Sequence, residues 1–259
     1  IVTIVLSIGM GRMADRNAIV KRLLAVETLG SVDVICTDKT GTLTQNEMTV
    51  TRIYTGDTKY EVTGVGYSPL GELIRMDDET LLDKDELPPT LERLLTIASL
   101  CNEAELQEDH GNWTILGDPT EGALLAVAAK AGLDRAELQK KYPREGDLPF
   151  DSRRKMMSVF HEGFEEGPVS LTKGAPDIVL DRCTHEMTPD GIVELTDERR
   201  QEILDINSSF AKQALRVLSY AYSVHEDGNF ENAEENLIFV GLTGMIDPAR
   251  AEVRDAIAL

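Results

Sequence analysis

Val32-Asp33-Val34-Ile35-Cys36-Thr37 runs directly into Asp38-Lys39-Thr40-Gly41-Thr42-Leu43-Thr44. The first six residues are rich in β-branched and apolar types and lie between Gly30 and Gly41, so they read as a buried strand. Such a strand delivers Asp38 beyond its carboxyl end, where open α/β sheets collect ligands and where loop amides face solvent. A carboxylate placed there can act as a nucleophile toward a phosphoryl group, with hydroxyls and backbone N–H groups receiving the displaced charge. The plainer alternative is that Asp38 only begins a polar turn.

Outward from this stretch the pattern is α+β. Two alternating segments between Thr49 and Thr63 flank Thr55-Gly56-Asp57-Thr58, which has hairpin-turn chemistry. Leu91, Leu94, Leu95, Ala98 and Cys101 fall at helical spacing and predict a helix from Pro89 to Glu105. Asp118, Pro119 and Glu121 mark the start of the next helix, and Gly132 marks its end. A short helix follows from Asp134. Lys155–His161 and Pro168–Lys173 read as antiparallel strands, and Gly174-Ala175-Pro176 opens a helix to Cys183. Thr196 caps a helix to about Leu215, Val217–Val224 and Leu237–Leu242 read as strands, and Asp247-Pro248 starts a last helical segment. The acidic run Asp77–Glu86 lacks the Gly and Glu of an EF-hand loop and reads as a solvated loop.

Composition narrows the function. At roughly 150 residues per domain, 259 residues allow one large domain or two ordinary ones. With 42% hydrophobic and 28% charged residues, disorder, collagen and a multi-span membrane protein are all disfavoured. The net charge of −20 repels a phosphate backbone, so no nucleic-acid partner is expected. Cys36, Cys101 and Cys183 form neither a disulfide framework nor a C-x-x-C zinc site, which suits a reducing cytosol. IVTIVLSIGM is almost wholly apolar, and Arg12, Arg16, Lys21 and Arg22 follow it. That order fits the last turns of a membrane helix entering a basic, cytoplasmic flank, or else a core helix or strand. No Walker loop is present, and Gly64, Gly66 and Gly71 do not have the G-x-G-x-x-G spacing.

The string DKTGTLTQ resembles the phosphorylation signature of the P-type ATPases. VETLGSVDVICTDKTGTLTQNEMTV, GDPTEGALL, LPFDSRRKMMSV, TKGAPD and GMIDPAR occur in the order found in the calcium-pump-like branch of that family, so the resemblance covers nearly the whole chain. IVTIVLSIGMGRMADRNAIVKRL is similar to the cytoplasmic end of that family's fourth membrane helix with its stalk. The His-Pro nucleotide motif of the heavy-metal pumps does not occur.

The resemblance implies that ATP phosphorylates Asp38, with Thr40 against the phosphate and Mg²⁺; Asp38 and Thr40 would be Mg²⁺ ligands, the others lying outside this chain. Related phosphohydrolases carry a second Asp where Thr40 stands, and its absence suits a long-lived acyl phosphate. The resemblance also implies an adenine pocket in which Phe150 stacks on the base among Glu121, Lys155 and Lys173, with Gly174 allowing close approach. Each residue has an ordinary alternative: a capping box for Glu121, core packing for Phe150, a solvated strand end for either lysine. Arg216 matches an arginine that reaches the phosphates, or is a surface residue at a helix–strand junction. Asp247 and Arg250 match the re-entry into the phosphorylation domain, and Asp247 also explains itself as a helix cap. After Phe150 the chain reads Asp151-Ser152-Arg153-Arg154, whereas calcium pumps often place these arginines differently. Arg154 is taken as a nucleotide-binding residue, the choice between it and Arg153 being open.

The implied fold is α/β overall. An α+β nucleotide-binding domain, an antiparallel sheet flanked by helices, is inserted into an incomplete Rossmann-like phosphorylation domain of haloacid-dehalogenase type. The expected division is a membrane-helix end and stalk at 1–26, a first phosphorylation piece at 27–47, the nucleotide-binding domain at 48–240, and the start of a second phosphorylation piece at 241–259. The implied activity is that of an ATP-driven cation pump, calcium first, whose transported cation binds in membrane helices not included here. This piece would lie on the cytoplasmic side and would bind ATP without turnover. The alternatives are a soluble phosphohydrolase of the same superfamily and a noncatalytic nucleotide-sensing module.

Overall fold

The computed structural model describes residues 2–225 and 228–258. The chain divides after Leu43 into two compact units. In the first, helices α1 (Val2–Ala14) and α2 (Ala25–Leu29) precede an exposed stretch that ends in a turn over Lys39–Leu43. The buried strand expected at Val32–Thr37 is not formed, and Val34 and Ile35 are 76% and 82% exposed. The physical reason is the lack of a ladder: among the described residues no strand pairs with this segment, so extended backbone there satisfies no N–H or C=O group. No helix of the described residues is long and apolar enough to cross a membrane.

The second unit begins with the expected hairpin, β1 (Thr49–Thr55) and β2 (Thr58–Val62). Gly56 and Asp57 have φ of +54° and +62°, as a two-residue type I′ turn requires. There follow β3 (Leu73–Arg75), β4 (Thr80–Leu81), α3 (Pro89–Leu100), β5 (Glu105–Asp109), β6 (Asn112–Leu116), α4 (Pro119–Lys130), α5 (Arg135–Lys141) and β7 (Arg144–Asp151). The chain continues through β8 (Met156–His161), β9 (Val169–Gly174), α6 (Pro176–Asp181), β10 (Cys183–Thr188), β11 (Gly191–Glu194), α7 (Asp197–Lys212), β12 (Arg216–Val224), β13 (Leu237–Ile246) and α8 (Val253–Ala258).

The main sheet has the order β4-β3-β2-β1-β13-β12-β9-β8-β7, and its neighbours along this path are antiparallel. β10 lies parallel to the start of β13 and carries β11 beyond it. The sheet is covered on both faces, so alternate residues of one strand enter different cores. Ile53, Met157 and Tyr220 pack with Leu91, Leu94 and Leu124 of α3 and α4. Tyr54, Met156 and Ala221 pack with Val179, Leu180, Ile203 and Phe210 of α6 and α7. This double burial gives β13 its nearly unbroken apolar sequence.

The helix starts at Asp118 and Thr196 agree with the expected caps, whereas the helix expected from Asp247-Pro248 begins only at Val253. The Asp118 carboxylate accepts from the Thr120 and Glu121 N–H groups, and the Thr196 hydroxyl accepts from Arg199 N–H. α3 stops at Leu100 rather than Glu105, because Asn102 turns its side chain back onto the Ala98 carbonyl and the chain leaves for β5. β13 continues to Ile246 rather than ending at Leu242, since β1 and β12 supply partners on both sides along its whole second half.

Candidate functional site

Four strands bring most of the candidate residues to one end of the sheet. Across β7, β8, β9 and β12, Asp151 faces Met156, Met156 faces Gly174, and Gly174 faces Ser219. At a strand spacing of about 4.8 Å, this row from Asp151 to Gly174 spans about 10 Å. Phe150 precedes the row within a register irregularity between Leu148 and Asp151, a bulge that lets a strand re-aim a side chain. Its ring is 64% exposed, so the core-packing alternative does not describe it.

The turn from Asp151 to Lys155 closes over this row. Lys155 N–H donates to the Asp151 carbonyl at 2.6 Å, and the Lys155 carbonyl accepts from Ala175 N–H at 2.9 Å. Lys155 sits at φ +55° with its side chain exposed. Gly174 permits the approach: a Cβ there would lie 2.7 Å from the Lys155 carbonyl oxygen and 2.6 Å from the Met156 Cβ. Arg154 does not point freely outward. Its guanidinium pairs with Glu234 and donates to the Pro149 carbonyl.

Lys173, from β9, is 7% exposed and donates to the Glu121 carboxylate at 2.6 Å. The capping-box alternative for Glu121 is not realised. Its other oxygen accepts from Glu103 N–H at 3.1 Å, and the helix end is served by Asp118 instead. A carboxylate and an ammonium held this deep exchange hydration for each other, and either would be costly to leave alone. Beneath them Cys101 is fully buried, its thiol pushed up to about 12 by desolvation, so it is no nucleophile. Arg216, at the start of β12, is exposed and donates to the Thr120 hydroxyl at 2.8 Å, beside Glu121 in the first turn of α4.

The remaining candidates lie elsewhere. Asp247 does not cap a helix: its carboxylate accepts from the Thr44 hydroxyl and from Glu47 N–H, tying the chain entering β1 to the chain leaving β13. Gln45 N–H on the Pro248 carbonyl and a bridge between Thr44 and Ala249 complete that tie. The Arg250 carbonyl accepts from Val253 N–H, beside the start of α8. Asp38 and Thr40 belong to the first unit and are exposed, Asp38 just before and Thr40 within the Lys39–Leu43 turn, where Gly41 adopts φ +76°. No group of three His, Cys, Asp or Glu side chains able to hold a metal occurs among the described residues.

Residues that the sequence patterns did not single out complete the site. Asn102, fully buried, donates to the Glu121 and Ala98 carbonyls and accepts from Ala104 N–H, which fixes the turn whose Glu103 N–H holds Glu121. Arg135 grips the same turn through the Asn102 and Ala104 carbonyls. An amide residue just past an apolar helical run was the available signal for Asn102. Glu234 offered none.

A mixed α/β unit built round a large antiparallel sheet fits an ATPase cytoplasmic domain. Residues 90–252 match the family model described as the P-type ATPase cytoplasmic domain N. Over 99% of its length the chain is 44% identical to the cation-transporting ATPase pma1 of Synechocystis and 39% identical to a calcium-transporting ATPase of Bacillus subtilis. It is 44% identical, again over 99%, to calcium-transporting ATPase 1 of Bacillus cereus. The chain belongs to the cation-transporting P-type ATPases. It spans 29%, 29% and 26% of the lengths of those three relatives.

Proposed function

We propose that the second unit binds ATP at the row of Phe150, Gly174 and Lys173. The observation that carries this reading is Phe150, 64% exposed on a bulge, at the same end of the sheet as a glycine against which no side chain would fit and the Lys173–Glu121 pair. Phe150 offers a face for the base, Glu121 and Lys173 offer an acceptor and a donor for its edge, and the exposed Lys155 and Arg216 offer charge to phosphates. An arginine of the 153–154 pair adds to that charge. Asp247 and Arg250 act where the chain leaves β13, between the proposed nucleotide-binding and phosphorylation domains.

In the whole protein the proposed chemistry is phosphoryl transfer to Asp38. A carboxylate oxygen attacks the γ-phosphorus, the bond to the β-phosphate oxygen breaks, and ADP leaves with the electron pair. Asp38 and Thr40 are hard oxygen donors of the kind Mg²⁺ accepts, and that ion uses few protein ligands beside phosphates and waters. When bound, Mg²⁺ would offset repulsion between the phosphate and the carboxylate. The names of the relatives support cation transport, calcium first; on the same proposal this region lies on the cytoplasmic side and the isolated chain binds ATP without turnover.

Calorimetric titration of the folded chain with ATP tests the site. Base–aromatic stacking contributes about 1–3 kcal/mol, so Phe150→Ala should weaken binding by about five- to 150-fold. Equal affinity in the folded variant overturns the pocket. Labelling of the full-length protein from γ-labelled ATP tests the chemistry: label should be absent in Asp38→Asn, and its persistence overturns that assignment.

A further inference from the structure

The two adjacent arginines after Phe150 stand in different electrostatic situations. Arg154 has a side chain 29% exposed and pairs with Glu234, whose side chain is 8% exposed. Glu234 also accepts from the Ser158 hydroxyl at 3.1 Å and lies 3.9 Å from the Arg182 guanidinium. Its loop is fastened further by the Ser170 hydroxyl, which donates to the Ala233 carbonyl, and by Arg182, which donates to the Glu234 carbonyl. From this anchor Arg154 reaches the Pro149 carbonyl, the backbone group immediately before Phe150. Drawing Arg154 away to a phosphate would leave a buried carboxylate without its nearest cation, which is strongly unfavourable.

Arg153 carries no such obligation. Its side chain is 90% exposed, and among the described residues it pairs across the turn, with Asp151 at 3.1 Å. An exposed pair of this kind contributes little and can be exchanged for another anion at small cost. The turn itself is stiff. Arg153 N–H donates to Asp151 at 2.7 Å, Lys155 N–H returns to the Asp151 carbonyl, and the turn packs on Gly174. Whatever fixes Pro149 and the turn therefore fixes the ring between them.

We infer that Arg154 is a positioning residue, clamping the Phe150 turn to buried Glu234, and that Arg153 is the arginine this turn offers to nucleotide phosphates. The inference rests on the proposed ATP site and refines it. The two roles differ in what they ask of the ligand. A phosphate contact concerns ATP and not adenosine, and it weakens with salt; a residue that places the ring concerns both ligands alike.

The experiment titrates the full 259-residue chain with ATP and with adenosine, at low and high salt. Arg154→Ala and Glu234→Gln should each lower the affinity for both ligands by the same factor, on the order of tenfold. Arg153→Ala should cost about fivefold for ATP at low salt and nothing for adenosine. Loss of ATP affinity in Arg154→Ala with adenosine unaffected overturns the inference while leaving the site intact. Should Arg154→Ala fail to fold, Glu234→Gln, which keeps the side-chain shape, decides: unchanged affinity for both ligands overturns the clamp. A folded wild-type chain that binds neither ligand overturns the ATP site itself, and the clamp with it.

Discussion

Val32–Thr37 and β1 lie on either side of the division after Leu43, and both are built from β-branched and apolar residues. Ile35 is 82% exposed, whereas Ile53 is fully buried. The difference is company. β1 has β2 on one side and β13 on the other, with α3 and α4 over one face, so its ladder and its side chains are satisfied together. Val32–Thr37 has no strand beside it among the described residues. Strand propensity measures fitness for a pleated, half-buried surface, and without that surface it forms nothing.

Three measurements would break or sharpen this contrast. The largest expected effect is in the core beneath β1. Leu94→Ala should lower unfolding free energy by about 2–5 kcal/mol, while Ile35→Ala should change it by less than about 0.5 kcal/mol. Denaturant melts of both variants check this, and equal losses would mean that the first unit is packed after all.

Next comes Lys130, at the C-terminal end of α4, which is 1% exposed and donates to the Thr63 carbonyl at 2.9 Å, with no carboxylate paired to it among the described residues. Desolvation lowers its ammonium from 10.5 to about 8. The folded chain therefore releases this proton before the unfolded chain does, so stability should rise with pH between about 8 and 10.5 and be flat in this group below that window. The rise is on the order of 3 kcal/mol, and Lys130→Met should remove it. Melts from pH 7 to 10.5 that coincide in slope for both proteins would refute the assignment.

The smallest effect compares two aspartates. Asp118→Ala removes the α4 cap and should cost about 1 kcal/mol, whereas Asp38→Asn, at an exposed position before a turn, should leave the melting curve unchanged. A destabilised Asp38→Asn would give that residue a structural role beside its proposed chemical one.

Much of the second unit was legible because its signals are local. The Gly56-Asp57 turn, the Asp118 and Thr196 caps and the apolar spacing of α3 each act within a few residues, and each agrees with the structure. Phe150, Lys155, Lys173, Gly174 and Glu121 could be named through the family resemblance, but their ordinary alternatives could not be separated from their proposed roles along the chain. Burial and contact separated three of them. The exposure of Phe150 speaks against core packing, and the Lys173–Glu121 contact replaces both a solvated lysine and a capping box.

What the sequence by itself determined is what depends on neighbours in the chain: turn handedness, helix starts, strand alternation and the order of the family's motifs. What only the tertiary structure decided is which charges are already occupied. Arg153 and Arg154 are adjacent and chemically identical, yet Glu234, 80 residues beyond Arg154, holds only the second. The same holds for Asp247, whose carboxylate is taken by Thr44 across 203 residues of chain. Pairing over such distances follows from the packing of the sheet, because the free energy of a buried charge is set by the groups that replace its water, and no short-range pattern records which those are.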